Sequence, residues 1–331
     1  MSVGSPQLLI EAEGAAQAGL EPVAGEIAAR SPLELFWRRF RGDRVAMASL
    51  IFIVLLILAA IFAPVIVKLM GVQGPNVQNP NALDQFGTPT GPSLATNHIF
   101  GVDNLGRDVF ARVLYGARVS LAVAFIATGI ALFIGVVSGL FAGFYRGKVD
   151  MAISRFIDVL LAFPILLLAL GLAAACSNAA GCLGGLIKPG LTNVIFVIAF
   201  VNWTYIGRIV RGQVLSLREK EFIEASRSLG ASNRRIIFKE VLPNLVAPII
   251  VYATLIIPQN ILFEAALSFL GVGVEPPQAS WGAMLSDAST SFSTAWWYMV
   301  FPGVALLLTV LAFNLVGDGL QDALHPKASD S

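Results

Sequence analysis

The 331-residue sequence contains few of the side chains that enzymes use for catalysis or for binding a metal. It has two histidines, His98 and His325, which fall in different parts of the chain and build no histidine-based triad or zinc motif. Its two cysteines, Cys176 and Cys182, have no histidine or carboxylate near them in the sequence. The sequence therefore offers no catalytic constellation, and we predict a chain that is not an enzyme and holds no metal.

Charged side chains are also scarce. Asp, Glu, Lys and Arg make up 13% of the residues, and the formal net charge is +1, which gives no sign of a nucleic-acid partner. Residues 143–150, GFYRGKVD, resemble a phosphate-binding loop, but their glycines are too close together and Val149 stands where that motif needs Ser or Thr. The chain itself is therefore not expected to hydrolyse ATP or to bind a cofactor.

Apolar residues, in contrast, are abundant: they make up 56% of the sequence, and the mean hydropathy is +0.76. A membrane-spanning helix needs about 20 consecutive apolar residues. Six stretches meet this length approximately, and they predict an all-α integral membrane protein with six transmembrane helices. The stretches are residues 45–67, 119–142, 156–175, 191–207, 245–263 and 295–316.

The basic residues predict the orientation of these spans. Sixteen Lys and Arg residues flank the spans on one side and four on the other, which places both termini in the cytoplasm under the positive-inside rule. Arg107, Arg112 and Arg118 in the first external loop are the exceptions. We expect a disordered cytoplasmic tail at 1–34, a first helix and external loop at 35–118, a membrane core at 119–318 and a cytoplasmic tail at 319–331.

Polar residues inside apolar spans are candidates for function. Gln259, Asn260 and Glu264 fall in the fifth stretch and are candidates for lining a translocation pathway, although Glu264 could equally reach water at the membrane interface. Asn202 and Asn314 are expected to form hydrogen bonds between helices. Ionisable groups near the middle of the membrane are scarce, which argues against a carrier driven by an ion gradient.

Two further pairs of residues are expected to interact. We expect an ion pair between Arg155 and Asp158, which are three residues apart near the cytoplasmic end of the third stretch. Cys176 and Cys182 fall in the third loop, which is predicted to be external, so oxidation to a disulfide is favoured there. The alternative is that the two cysteines are unpaired small apolar residues at the end of a helix.

Residues 220–244 form the most charged segment of the chain. Phe222, Ser226 and Leu229 recur at helical spacing before Gly230, and Ser232 or Asn233 can cap a second helix that Pro243 closes. Gly230 suits the left-handed stop position between the two helices. This helix–Gly–helix bracket could lie on the lipid surface or dock another protein, and periodicity alone does not separate these alternatives.

Residues 224–243, EASRSLGASNRRIIFKEVLP, resemble the EAA signature of permease subunits in bacterial ATP-binding-cassette importers. Glu224, Ala225 and Gly230 match that signature, as does the Leu-Pro pair at its end, whereas Ser226 replaces an Ala and Glu240 replaces an apolar residue. The resemblance implies that the coupling loop, 208–243, contains a helix that fits a cleft on a cytoplasmic ATPase. The residues implied in this coupling are Glu221, Phe222, Glu224, Ala225, Ser226, Leu229, Gly230, Ala231 and Arg234.

Four further blocks, at residues 98–121, 208–226, 261–287 and 313–327, are similar to the C-type permease of oligopeptide and dipeptide importers. This resemblance implies a type I importer permease fold in the bacterial inner membrane, with residues 106–108 in an external amphipathic helix. It also implies a homologous second permease, two ATP-binding subunits that use ATP and Mg, and an extracytoplasmic substrate-binding protein as partners. The implied cargo is a short peptide, with nickel, glutathione-like compounds and sugars as alternatives.

Overall fold

The computed structural model describes residues 32–178 and 181–324, and within these ranges the chain is helical with no β-strand beyond isolated bridges. Five helices are long and apolar enough to cross a membrane, and a bent pair of helices meets the same criterion jointly, which gives five to six apolar spans. The two predicted tails fall largely on residues 1–31 and 325–331, which lie outside the described residues. Residues 32–34, predicted to be disordered, are helical, and residues 319–324 continue the last helix.

The helices are named α1 to α11 in chain order. The bundle begins with α1 and α2, continues through a short α3, and ends with the long α11. Their bounds are α1 Pro32–Gly42, α2 Arg44–Ile61, α3 Ala63–Leu69, α4 Val109–Tyr145, α5 Gly147–Leu161, α6 Ile165–Ala175, α7 Leu191–Leu217, α8 Glu221–Ser228, α9 Asn233–Phe269, α10 Trp281–Ala288 and α11 Trp296–Leu324.

Side-chain caps define where several of these helices begin. Asp43 accepts hydrogen bonds from the backbone N–H groups of Val45 and Ala46 at the start of α2. Asp108 accepts one from Ala111 at the start of α4. Such caps satisfy N–H groups that have no partner inside the helix. The second span is therefore longer than the predicted stretch 119–142, because α4 begins directly after its cap at Asp108.

Proline accounts for two departures from the predicted spans. The stretch 45–67 is interrupted at Phe62, after which Pro64 stands in the first turn of α3. The stretch 156–175 is not one helix, because α5 and α6 meet at Pro164 with a bend of 89°. Proline lacks the N–H that a continuing helix requires and disfavours helical geometry in the residue before it.

The fold centres on the contact between α4 and α7. Gly135, Gly139 and Gly143 are spaced four residues apart on α4, and a Cβ atom at any of them would lie within 2.7 Å of an atom of α7. The facing side chains are Ile206, Val210 and Val214. Small residues in this spacing allow two helix backbones to approach closely, as is common inside membranes.

The region before α4 is built from turns. Residues 106–108 belong to this region and not to an external helix, because Gly106 has a φ of +71° and Asp108 is the cap that precedes α4. The side chain of Trp297 on α11 donates a hydrogen bond to the carbonyl of Val102, and the rings of Phe100 and Phe301 stack 3.8 Å apart. Residues 72–108 are therefore packed against α11 at the end of the bundle where α4 begins.

Candidate functional site

The helix–Gly–helix bracket predicted from residues 220–244 is present. Helix α8 ends in a Schellman motif, in which the N–H of Ala231 bonds the carbonyl of Ser226 and the N–H of Gly230 bonds that of Arg227. Gly230 has the left-handed φ of +78° that this motif requires. The Ser232 side chain then accepts the N–H of Arg235 and caps α9.

The bracket does not end at Pro243 as predicted. A π-helical turn at Ile236–Val241 leads directly into the apolar part of α9, and Pro243 lies in the first turn after it. The wider π turn accommodates a residue that has no N–H to donate to the preceding turn. The second half of the bracket and the fifth span are consequently one continuous helix, Asn233–Phe269.

The face of α8 that packs inward is not the predicted stripe. Ile223 is fully buried, together with Ile236 and Val241 from α9, whereas Phe222 is 40% exposed and Leu229 is 88% exposed. These buried residues belong to one apolar cluster with residues of α4 and α7. Ile223 was missed because an eight-residue helix with several apolar residues fits more than one helical phase.

The outward face of the bracket carries both charged and apolar side chains. Of the nine residues implied in coupling, Ser226 and Ala231 are half-buried and the other seven are exposed. Phe222 and Leu229 thus place large apolar groups in solvent beside the carboxylates of Glu221 and Glu224. An exposed apolar patch with a polar rim is typical of a surface that binds another protein.

Ion pairs connect the bracket end of α4, α5 and α7. Arg146 bonds Glu219 at 2.6 Å, and Arg211 bonds Asp150 through two nitrogens at 2.5 and 2.8 Å. The partner of Asp158 is Arg208 on α7, at 2.7 Å, and not Arg155 as predicted. The pairing residue comes from the neighbouring helix because α5 lies against α7 at this end of the bundle.

A cleft of about 520 Å³ opens between α6, α7 and α9. Its polar groups are the amides of Asn202 and Gln259 and the hydroxyls of Tyr205 and Tyr252, and the described residues that line it include no charged side chain. Polar groups at membrane depth are normally directed toward a cavity or a protein partner, since exposure to lipid is unfavourable. The remaining lining residues are Ile165, Ile209, Leu255, Ile256 and Phe263.

The three candidate pathway residues have three different environments. Gln259 is exposed and lines the cleft. Asn260 is fully buried between helices, where it accepts a hydrogen bond from Asn202 at 2.8 Å and donates one to Thr128 at 2.7 Å. The interhelical hydrogen bond predicted for Asn202 is thereby present, whereas Asn314 is exposed on the surface of the chain.

Glu264 is also fully buried, away from the cleft, and both carboxylate oxygens accept serine hydroxyls at 2.7 Å, from Ser120 on α4 and Ser268 on α9. Each hydroxyl in turn accepts a backbone N–H, that of Trp281 for Ser120 and that of Val274 for Ser268. These hydrogen bonds fix the two ends of the loop that connects α9 to α10.

The loop between α6 and α7 contains the two cysteines. Cys176 and Cys182 are joined by a disulfide in the structure. The bond closes a small ring after the end of α6, and the backbone of Cys182 pairs with Ile187 in an isolated bridge. Among the described residues, no group of three or more His, Cys, Asp or Glu side chains is arranged to hold a metal.

Comparison with known proteins identifies relatives over most of the chain. Residues 135–330 match the model of the family described as binding-protein-dependent transport system inner membrane component, and residues 31–85 match the N-terminal TM domain of oligopeptide transport permease C. The chain is 44% identical to the dipeptide transport system permease protein DppC of Alkalihalophilus pseudofirmus, with 92% of this chain and 93% of the relative covered. It is 43% identical to the glutathione transport system permease protein GsiD of Escherichia coli O157:H7, with 90% and 91% covered.

A solved structure agrees with the fold. One chain of the inward-facing MetNI methionine ABC transporter superimposes with a TM-score of 0.54 at 20% sequence identity, and the match covers 64% of this chain and 96% of that chain. At this identity the likeness concerns the fold alone. It is consistent with the six-span bundle described above.

Proposed function

Because the chain belongs to the family of binding-protein-dependent transport system inner membrane components, we propose that it is the permease subunit of an ATP-driven importer for short peptides. The relatives named for dipeptide and glutathione transport support a peptide or peptide-like cargo. Multiple apolar helices and this family place the chain in the inner membrane as a multi-pass protein. Nickel and sugars have no support among these relatives.

The observation that favours coupled transport is the continuity of α9. Its first turns form half of the exposed bracket, and its later turns supply Tyr252 and Gln259 to the cleft. A displacement of the bracket by a partner therefore reaches the cleft through one helix, with no intervening loop. Ile223 packs the first helix of the bracket against α4 and α7, and the ion pair between Arg146 and Glu219 joins the end of α4 to the residue just before the bracket.

The partners follow from what this chain contributes. It supplies a cleft between three of its own helices, and, as its family implies, a homologous second permease completes the pathway. Two ATP-binding subunits, which use ATP and Mg, dock at the two brackets, and an extracytoplasmic binding protein delivers the cargo at the opposite end. The regions 1–34, 35–118, 119–318 and 319–331 then correspond to a cytoplasmic tail, a helix with an external loop, the transport core and a second cytoplasmic tail.

In the orientation that we propose, both termini and the bracket are cytoplasmic, because most basic residues flank that end of the bundle. A single cysteine introduced at Ser293 should react with a membrane-impermeant thiol reagent from outside, whereas one at Ser232 should not. Both serines are exposed, so accessibility within the chain does not bias the comparison. Reversed labelling of the two sites would contradict the orientation.

Charge reversal on the bracket tests the coupling role. Glu224→Arg should leave the amount of permease in the membrane unchanged, because Glu224 is exposed. The same change should abolish peptide uptake and retention of the ATP-binding subunits on purification. Asp322→Arg, a reversal of another exposed acid near the end of α11, is the matched control and should preserve both. If the bracket instead lay on anionic lipid, Glu224→Arg would strengthen that attraction and uptake would survive.

A further inference from the structure

The cleft contains one amide whose orientation is fixed by its own donors. Asn202 on α7 lines the cleft and is 9% exposed. Its side-chain nitrogen donates to the carbonyl of Ile198 at 3.1 Å and to the side-chain oxygen of Asn260 at 2.8 Å. Both N–H groups of Asn202 are thus used inside the protein, since an amide nitrogen has two hydrogens to donate.

A second amide holds the first in place. Asn260 is fully buried, its nitrogen donates to the hydroxyl of Thr128 on α4 at 2.7 Å, and its oxygen is the atom presented to Asn202. Rotating Asn202 by half a turn would bring its oxygen against the carbonyl oxygen of Ile198, which can only accept, and that buried hydrogen bond would be lost. The chain of bonds from α7 through α9 to α4 therefore leaves Asn202 in a single orientation.

The side-chain oxygen of Asn202 is left without a partner by this arrangement. Within residues 32–178 and 181–324, no donor forms a hydrogen bond to it, although the side chain is nine-tenths buried. This oxygen is not among the fully buried unpartnered atoms of the described residues, so it is reachable from the cleft, whose other lining groups are mostly apolar. The oxygen belongs to a side chain that lines the cleft, so a molecule in the cleft can supply that donor.

The chemistry of the cleft selects the kind of donor. Its described lining is apolar apart from neutral amides and hydroxyls and supplies no counter-charge, so the group that contacts Asn202 is better matched by a neutral hydrogen-bond donor than by an ammonium. A secondary amide offers a neutral N–H to Asn202 and a carbonyl oxygen that Gln259, Tyr205 or Tyr252 can approach as donors. The volume of about 520 Å³ lies within the range of small-molecule sites.

We propose that Asn202 is a specificity-determining residue whose fixed side-chain oxygen accepts the backbone N–H of a peptide in transit. This inference rests on the proposed function, because it concerns how the same cleft recognises its cargo. It implies that the permease itself recognises a peptide bond, independently of the side chains of the peptide. This recognition adds to any selection by the binding protein.

The test compares the uptake of two kinds of substrate by several variants of the permease. Proteoliposomes containing the full transporter and its binding protein are given trialanine or trialanine analogues in which one amide N–H is replaced by an ester oxygen. The ratio of amide to ester uptake is measured for wild type, Asn202→Ala and Asn193→Ala. Contributions of the binding protein to this ratio are the same for every permease variant, so differences between ratios belong to the permease.

We expect wild type to favour the amide over one of the esters by roughly tenfold, because the ester leaves the Asn202 oxygen unpaired. Asn202→Ala should bring that ratio close to the value set by the binding protein alone. Asn193→Ala is the matched control, since Asn193 is a buried amide on the same helix that bonds the carbonyl of Ala173 and does not line the cleft, and it should keep the wild-type ratio.

A ratio in Asn202→Ala equal to that of wild type would overturn the inference. Should Asn202→Ala fail to accumulate in the membrane, Thr128→Val decides instead, because it releases Asn260 without altering the cleft. Thr128→Val should lower the ratio of amide to ester uptake. An unchanged ratio would overturn the inference. Wild type that imports trialanine and both esters equally contradicts this inference alone. Wild type that imports none of them despite ATP contradicts the proposed function.

Discussion

At the scale of single residues, the backbone conformation of Gly230 is required for the proposed coupling. Its φ is +78°, and a Cβ atom there would meet no neighbouring atom, so the penalty for another residue is conformational and not steric. Gly230→Val should cost about 1 kcal/mol or more and misalign the two helices of the bracket. We expect normal membrane levels with lost peptide uptake and weaker retention of the ATP-binding subunits.

Gly212 provides the control for that substitution. It also has open space around the Cβ position, but it lies in the regular helix α7 without a positive φ. Gly212→Val should therefore leave uptake and subunit retention intact. Equal behaviour of the two variants would show that the left-handed turn is not required for coupling.

A second residue-scale prediction concerns His98 and Asp108, whose side chains are bonded at 2.9 Å and are both buried. Burial raises the pKa of Asp108, while the N–H of Ala111 and the ring of His98 act in the opposite direction. An acid with a raised pKa contributes stability below its ordinary pKa, and this contribution is lost as the pH rises through the raised value. His98→Leu removes one of the interactions that lower the pKa of Asp108. The loss of stability with rising pH should therefore be larger in this variant.

The measurement is the melting temperature of the detergent-purified protein between about pH 4 and about pH 8. The deficit of His98→Leu relative to wild type should grow with rising pH and correspond to about 1–3 kcal/mol at the upper end. In an Asp108→Asn background, where the cap oxygen remains and the charge does not, the same substitution should have a smaller effect. A deficit that is equal in both backgrounds would contradict the pairing.

The sequence was sufficient for those residues whose role depends on their near neighbours. Gly230 was predicted correctly as the helix stop, and Ser232 is one of the two residues predicted as the cap, because a stop and a cap are local features. The burial of Ile223 was missed because α4 and α7 decide which face of α8 packs inward. Asn202 was predicted to form an interhelical bond, but its free oxygen could not be anticipated, since it depends on Asn260 and Thr128 from two other helices.

At the scale of helices, the contact between α4 and α7 depends on glycine. A Cβ atom at Gly139 would lie 2.7 Å from the carbonyl oxygen of Gly207 and from the Cβ of Val210. Gly139→Val should therefore separate the helices and destabilise the protein by about 1–3 kcal/mol, as overpacking does elsewhere. A Cβ atom at Gly129 on the same helix meets no atom of the described residues within 4 Å, so Gly129→Val should change the melting temperature much less.

The disulfide between Cys176 and Cys182 is a second helix-scale prediction. In protein purified without reductant, intact-mass measurement after alkylation should show no adduct, and two adducts should appear after reduction. A ring closed over a sequence separation of 6 should contribute about 2 kcal/mol to stability, and its loss should affect melting more than transport. Two thiols that alkylate without reduction would refute the bond in the native protein.

Hydropathy located the spans but could not describe their shape. The run 156–175 is apolar throughout, and composition does not register that Pro164 turns α6 by 89° from α5. The same bend places Ile165, at the start of α6, on the wall of the cleft. The cleft was accordingly beyond prediction, because it is formed by three segments whose relative positions follow from tertiary packing.

At the scale of the whole molecule, ion pairing accounts for two of the arginines that depart from the positive-inside pattern. Arg107 and Arg112 are buried at the end of the bundle opposite the bracket, and their Nε atoms lie 2.6 and 3.4 Å from the carboxylate of Asp103. Asp287 on α10 lies within 4.0 Å of both arginines. Charges neutralised in this way carry little weight in a rule that concerns free basic residues in loops.

We propose that ATP hydrolysis by partner subunits, acting through the bracket, drives a peptide through this permease. The most direct test of this proposal is uptake of a labelled short peptide into proteoliposomes that contain the assembled transporter, with the binding protein outside and the nucleotide enclosed. We predict accumulation with enclosed Mg-ATP and none with a non-hydrolysable analogue, whether or not proton and sodium gradients are present. Accumulation that follows an imposed ion gradient and is unaffected by ATP would contradict the account and identify a secondary carrier.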